Sequence, residues 1–239
     1  MGNCHVFVQS CCHPNARLHR MDKLLNFLLG ITLRLDRITP TDLQALERSR
    51  GAARRANSGY DKVADEIWHV EEKTFQRLSG TGGDVRVLFH RPRNSDQKDL
   101  PLVLWLHGGA MVLGNHKDMW GMRFLKVAQT RYGPICFASI QYRCAPEFTF
   151  PAAVDDFVSA YRSLMDEKLA KTLGYSTEKV SVASCSAGSL VAAHGLLRLE
   201  RWLPTALLYP MVDPTMSSES HQLFGSLPAC PSSFLRVAW

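Results

Sequence analysis

The 239 residues, 46% hydrophobic and 21% charged, are enough to bury one sizeable core, and they exclude a disordered or fibrous chain. The net charge of +6 is not gathered into a basic stripe interleaved with aromatics, which argues against nucleic-acid binding. No apolar run reaches the roughly 20 residues that cross a bilayer.

Residues 1–66 read as helices and connections. Met21, Leu24, Leu25, Leu28, Ile31, Leu35 and Ile38 mark one helical face, suited to packing on the domain or, as a sharper alternative, to a lid or membrane-surface helix. No secretory leader is visible, and Met1-Gly2-Asn3-Cys4 hints at acylation although Val6 stands where that pattern wants Ser or Thr. Thr39-Pro40-Thr41-Asp42 breaks the chain before a second helix, whose Arg48, Arg50, Arg54 and Arg55 read as a solvated face.

From Trp68 the pattern changes. Residues 72–78 and 85–90 are strand-like, and the glycine-rich link 79–84 predicts a hairpin without the ending of a phosphate loop. Residues 100–106 predict a continuous apolar strand, 117–132 a helix, 134–142 a strand, and 154–169 a helix. Residues 180–183 and 205–212 are again short and strand-like. Alternating strands and helices, with strands apolar on both faces, predict an α/β fold: a mostly parallel sheet covered by helices on both faces. The seven cysteines (Cys4, Cys11, Cys12, Cys136, Cys144, Cys185, Cys230) are odd in number and scattered, as expected of reduced cytosolic thiols. Cys11-Cys12-His13 lacks metal-site spacing.

The chemistry gathers around Ser184-Cys185-Ser186-Ala187-Gly188, which follows the strand-like 179–183 and precedes a helix of small and apolar residues. This nearly spells the G-x-S-x-G elbow, in which a sharp strand-to-helix turn exposes a serine nucleophile and demands small flanking residues. His107-Gly108-Gly109-Ala110 closes the 100–106 strand, and small residues there let main-chain N–H groups approach a developing oxyanion.

Two further segments complete a pattern. They are Gln141-Tyr142-Arg143-Cys144-Ala145-Pro146-Glu147 followed by Phe150-Pro151-Ala152-Ala153, and Tyr209-Pro210-Met211-Val212-Asp213-Pro214. In this order the set resembles the hormone-sensitive lipase family of α/β-hydrolases, which carries H-G-G-G, D-Y-R-x-A-P-E with F-P-A-A, and G-D-S-A-G-G. The match spans residues from about 85 to about 215. The resemblance implies an α/β-hydrolase domain over 67–239, preceded by an N-terminal helical cap or tail over 1–66. It implies that Ser186 is the nucleophile of a serine carboxylic-ester hydrolase needing no cofactor and no metal. It places the oxyanion hole at Gly108, Gly109, Ala110 and Ala187, and makes His107, Tyr142, Arg143 and Glu147 scaffold for that loop rather than a general base. Asp155 and Asp156 are expected on an exposed helical start. Cys185 stands where the family usually has aspartate, and Ser184 and Ser189 stand where it has glycine.

The larger departure is the triad. A serine hydroxyl needs a histidine to take its proton and an acid to orient that histidine, in the chain order Ser, Asp or Glu, His. Only 239 − 186 = 53 residues follow Ser186, so the family's acid and histidine loops are expected to be absent and the chain incomplete. Asp213 and His221 come in the right order but fall in a proline turn and a serine-rich loop. The expectation is therefore an esterase- or lipase-like hydrolase of small-molecule or lipid esters, weak or inactive by itself. It is expected in the cytoplasm, with membrane-surface contact through its N-terminal helix. The alternatives are a non-catalytic small-molecule-binding module, as in some plant hormone receptors of the family, and a membrane-surface scaffold.

Overall fold

A computed structural model describes residues 42–78, 83–226 and 232–238. The helical face of 21–38, the Met1–Cys4 segment, Cys11-Cys12-His13, Cys230 and the hairpin tip lie outside the described residues.

Asp42 opens the first described helix, α1 (Leu43–Ala56), by accepting the Ala45 N–H at 2.8 Å, and α2 (Tyr60–Ile67) follows. Two strands then pair antiparallel, β1 (Trp68–Phe75) and β2 (Val85–Pro92), in the register Phe75↔Val85. β3 (Leu100–Leu106) leads through α3 (Met119–Tyr132) to β4 (Cys136–Gln141), and α4 (Ala152–Leu164) and α5 (Glu167–Leu173) precede β5 (Tyr175–Cys185). The chain continues through α6 (Ala187–Leu199), β6 (Thr205–Leu208), α7 (Glu219–Phe224) and α8 (Ser232–Ala238). The sheet order is β1-β2-β4-β3-β5-β6; β1, β2 and β4 alternate in direction, while β4, β3, β5 and β6 run parallel.

The side-chain alternation of β3 explains why its sequence is apolar throughout. Leu102, Leu104 and Leu106 enter one core with Phe157, Leu164 and Val191 from α4 and α6. Val103 and Trp105 enter the other with Tyr60, Met122 and Leu125 from α2 and α3. Each such fully buried side chain contributes about 1.5–3 kcal/mol, so a central strand covered on both faces anchors whatever is built at its end.

Several sequence expectations shift. The helix expected over 154–169 is two, because Asp166 caps α5 by accepting the Leu169 N–H. The strand expected over 205–212 ends at Leu208: Tyr209 turns into the left-handed region at φ 37°, and Pro210 has no N–H to pair. Beyond that end, Tyr209 and Val212 are exposed.

Arg50 is not part of a solvated face. Its Nε donates to Val112 O at 2.9 Å, one Nη to Ala145 O at 2.9 Å, and the guanidinium clamps Glu147 at 2.7 and 2.8 Å. Asp156 is likewise not exposed. It is fully buried, accepting the Arg143 N–H at 2.7 Å and the Arg77 Nε–H at 2.7 Å, while only Asp155 reaches outward to Arg198. Both misreadings have one cause: a long cation or a carboxylate is drawn inside by partners from distant segments, which helical position does not reveal.

Candidate active site

The parallel strands deliver two chain segments to one place. β5 ends at Cys185 and α6 begins at Ala187, so Ser186 alone makes the turn, at φ 50° and ψ −119°. A non-glycine residue there costs of order 1–3 kcal/mol and persists only when its surroundings over-determine it. They do so here: the Ser186 N–H donates to Leu208 O at 2.9 Å, and Ser186 O accepts from the Ser189 and Met211 N–H groups at 3.0 and 3.3 Å. A serine at a helix start ordinarily caps that helix with its side chain, yet the Ser186 hydroxyl makes no capping bond. The residue is half-buried.

The neighbouring segment is the glycine loop after β3. A β-carbon added at Gly108 would meet Cys185 Sγ at 3.2 Å and Ser186 Cβ at 3.3 Å, so the loop lies directly on the elbow. Gly109, Ala110 and Met111 follow with positive φ of 126°, 49° and 61°, closed by the Leu113 N–H donating to Gly109 O at 2.8 Å. Among the described residues, the N–H groups of Gly109, Ala110 and Ala187 donate to no protein acceptor. Amides without partners, in a loop packed on the elbow and at the start of α6, are open to receive a negatively charged oxygen.

His107 anchors this loop from within. Its buried ring stacks on Tyr142 at 4.2 Å, its Nδ1 bonds Gly108 O at 2.8 Å, and the Tyr142 hydroxyl donates to His107 O at 2.6 Å. Burial lowers the affinity of its imidazole for a proton, so it stays neutral. Arg143 and Glu147 sit beneath the loop, the first on Asp156 and the second on Arg50, whose guanidinium holds the Glu147 carboxyl below the usual range. A cavity of about 520 Å³ beside them has Tyr142, Arg143 and Glu147 in its wall but not Ser186 or Gly109.

Burial pushes the Cys185 thiol up to about 11 and Cys144 up to about 12, so neither is a thiolate near neutrality. His194 is exposed and bonds the Leu190 carbonyl of its own helix. Asp213 accepts from the Thr215 N–H and hydroxyl at 2.9 and 2.6 Å, which lowers its pKa, and His221 pairs with Ser218 at 2.6 Å. Among the described residues no histidine bonds the Ser186 hydroxyl, and no cluster of three or more His, Cys, Asp or Glu could hold a metal.

Sequence reasoning misplaced Asp156 and overlooked the Leu208 carbonyl. The first is buried by Arg77, 79 residues away, a partner that no local pattern announces. The second belongs to a main-chain contact and leaves no mark on residue type.

A mostly parallel six-stranded sheet with a serine elbow at one strand end and a glycine loop at the next defines an α/β-hydrolase. The chain belongs to the alpha/beta hydrolase fold family, whose sequence model matches residues 103–239, more than half its length. It is 32% identical over 161 residues to an acetyl-hydrolase of Streptomyces hygroscopicus, covering 63% of this chain and 50% of that one. Over 115 residues it is 32% identical to a 3-O-acetylpapaveroxine carboxylesterase of Papaver somniferum, covering 45% and 36%. Among solved structures it resembles an esterase of Pyrobaculum calidifontis with a TM-score of 0.71 and 26% identity, over 90% of this chain and 68% of that one. The chain spans about half or less of the length of these curated relatives. No helix among the described residues is long and apolar enough to cross a membrane.

Proposed function

We propose that the protein is a serine hydrolase of carboxylic esters, working through an acyl-enzyme on Ser186. In this reading the Ser186 oxygen attacks the ester carbonyl carbon, the alcohol leaves, and water then releases the acid. The amides of Gly109, Ala110 and Ala187 hold the oxyanion of both tetrahedral intermediates, and Gly108 brings their loop onto the elbow. His107, Tyr142, Arg143 and Glu147 keep the loop in place without touching substrate, and no cofactor takes part. The observation that carries the reading is a serine hydroxyl released from helix capping, with amides without partners at the start of α6 and in a loop packed on the elbow. The names of the two relatives, an acetyl-hydrolase and a 3-O-acetylpapaveroxine carboxylesterase, point to acetyl esters as substrates. Contact with a lipid surface is assigned to the stretch expected to be helical over 21–38, which lies outside the described residues, and no nucleic acid is proposed as a partner.

No described histidine bonds the Ser186 hydroxyl, so in this reading no described side chain takes its proton. The 239-residue chain is therefore expected to hydrolyse esters weakly, at most about 10³–10⁴-fold above water, the residue of catalysis that survives loss of a triad member. Hydrolysis of p-nitrophenyl butyrate by the protein and by Ser186→Ala tests this. Slow release that disappears in Ser186→Ala is expected; an equal rate in both sinks the serine mechanism. The same lack of a base favours a second reading, a binding module that retains a small ester without turning it over. Thermal stabilisation by an ester that is recovered intact would select it.

A further inference from the structure

Ser184 and Ser189 occupy the two outer positions of the elbow, and both differ from the glycines of the motif that the sequence resembles. They are not independent. Both are fully buried, and the Ser184 hydroxyl donates to Ser189 Oγ at 3.1 Å. The Ser189 hydroxyl in turn reaches Leu208 O at 3.5 Å, the same carbonyl that accepts the Ser186 N–H at 2.9 Å. A relay therefore runs from the end of β5, through the first turn of α6, to the end of β6, and returns to the backbone of the strained residue.

We infer that Ser184 and Ser189 are positioning residues for Ser186, a matched pair that fixes the elbow by sharing the Leu208 carbonyl with it. This rests on the proposed role of Ser186, though not on its rate of turnover. The direction of the relay makes the two hydroxyls unequal. Ser189 is both the acceptor for Ser184 and the donor to β6. Removing it leaves the Ser184 hydroxyl buried without a partner and frees Leu208 from one of its two donors. Removing Ser184 leaves Ser189 still bonded to Leu208. Removing both leaves no buried hydroxyl unpaired, and replacing both partners of such a bond is far less harmful than removing one. The order of damage is therefore Ser189→Ala greatest and Ser184→Ala least, with the double variant milder than Ser189→Ala alone.

The test reads position 186 itself. In a Ser186→Cys background, the rate of iodoacetamide alkylation at residue 186 is followed by peptide mass spectrometry from pH 6 to 10. An ordered elbow holds the introduced thiol over the start of α6, where a thiolate is favoured. Adding Ser189→Ala is expected to move the alkylation profile about half a pH unit higher, which is about threefold slower labelling at pH 7. Further addition of Ser184→Ala is expected to restore most of that loss. A purely structural role would lower thermal stability in all variants and leave the profile in place. Additive or unchanged profiles overturn the inference.

If Ser186→Cys does not fold, amide hydrogen exchange of residues 184–190 in the Ser186 protein gives the same ranking or refutes it. If Ser189→Ala alone does not fold, folding of the double variant supports the pairing, and failure of both overturns it. Ester hydrolysis by the unsubstituted protein tests the role of Ser186 separately, so either idea can fail without the other.

Discussion

Gly188, two residues beyond Ser186, offers a sharp test of how the elbow is built. A β-carbon there would lie 2.3 Å from Leu106 O and 2.4 Å from His107 O, both main-chain atoms at the end of the central strand. That is roughly 1 Å inside ordinary contact. Neither oxygen can rotate away as a side chain would, so Gly188→Ala must push α6 off β3. Overpacking of a tight core costs about 1–3 kcal/mol, and rigid neighbours place this site at the top of that range. About 3 kcal/mol lowers the midpoint of thermal unfolding by about 6–12 °C in a protein of this size. Urea denaturation followed by circular dichroism and tryptophan fluorescence measures it, with Gly59→Ala as the control. Gly59 has nothing within 4 Å of an added β-carbon and a φ of −82°, so alanine there meets no clash and costs at most about 1 kcal/mol as a poorer helix start. A Gly188→Ala protein within 1 kcal/mol of the original would refute a close-packed elbow.

Asp156→Asn removes the buried charge that binds Arg77 and Arg143 and is expected to destabilise by about 3–5 kcal/mol, read as a lower urea midpoint. Asp155→Asn, on the outer side, is expected to change stability by less than about 1 kcal/mol. His90, buried against Tyr60 and Phe137, has its pKa lowered to about 4 by desolvation. The unfolded chain then binds a proton that the folded one refuses, so stability is full above about 6.5 and falls as pH drops toward 4. The total is about 3 kcal/mol, and His90→Gln is expected to flatten that part of the stability-versus-pH curve; an unchanged slope rejects the assignment.

How much of this could be read beforehand depended on whether a residue's role was local. β3 was legible to the residue, because a strand covered on both faces must be apolar at every interior position, as Leu102 to Leu106 are. The elbow and the glycine loop were legible because sharp turns restrict residue type. The N-terminal part of β5 was not. Ser176 to Lys179 are polar and partly exposed, and they extend the strand beyond the apolar core only through the pairing of Leu100 with Tyr175. Asp156 was read on the wrong side of its helix, because its burial depends on an arginine 79 residues away. The end of β6 was set by the left-handed turn at Tyr209, which no periodicity announces.

Arg50 brings a consequence for any shortened form of the protein. One guanidinium, carried by α1, ties together the stretch just after the glycine loop at Val112 and the opening of the next loop at Ala145. Proteolytic clipping ahead of Tyr60 would therefore do more than trim a leading segment. It would cut the brace between two loops and strip the packing of Leu46 from Ala110 and Val112.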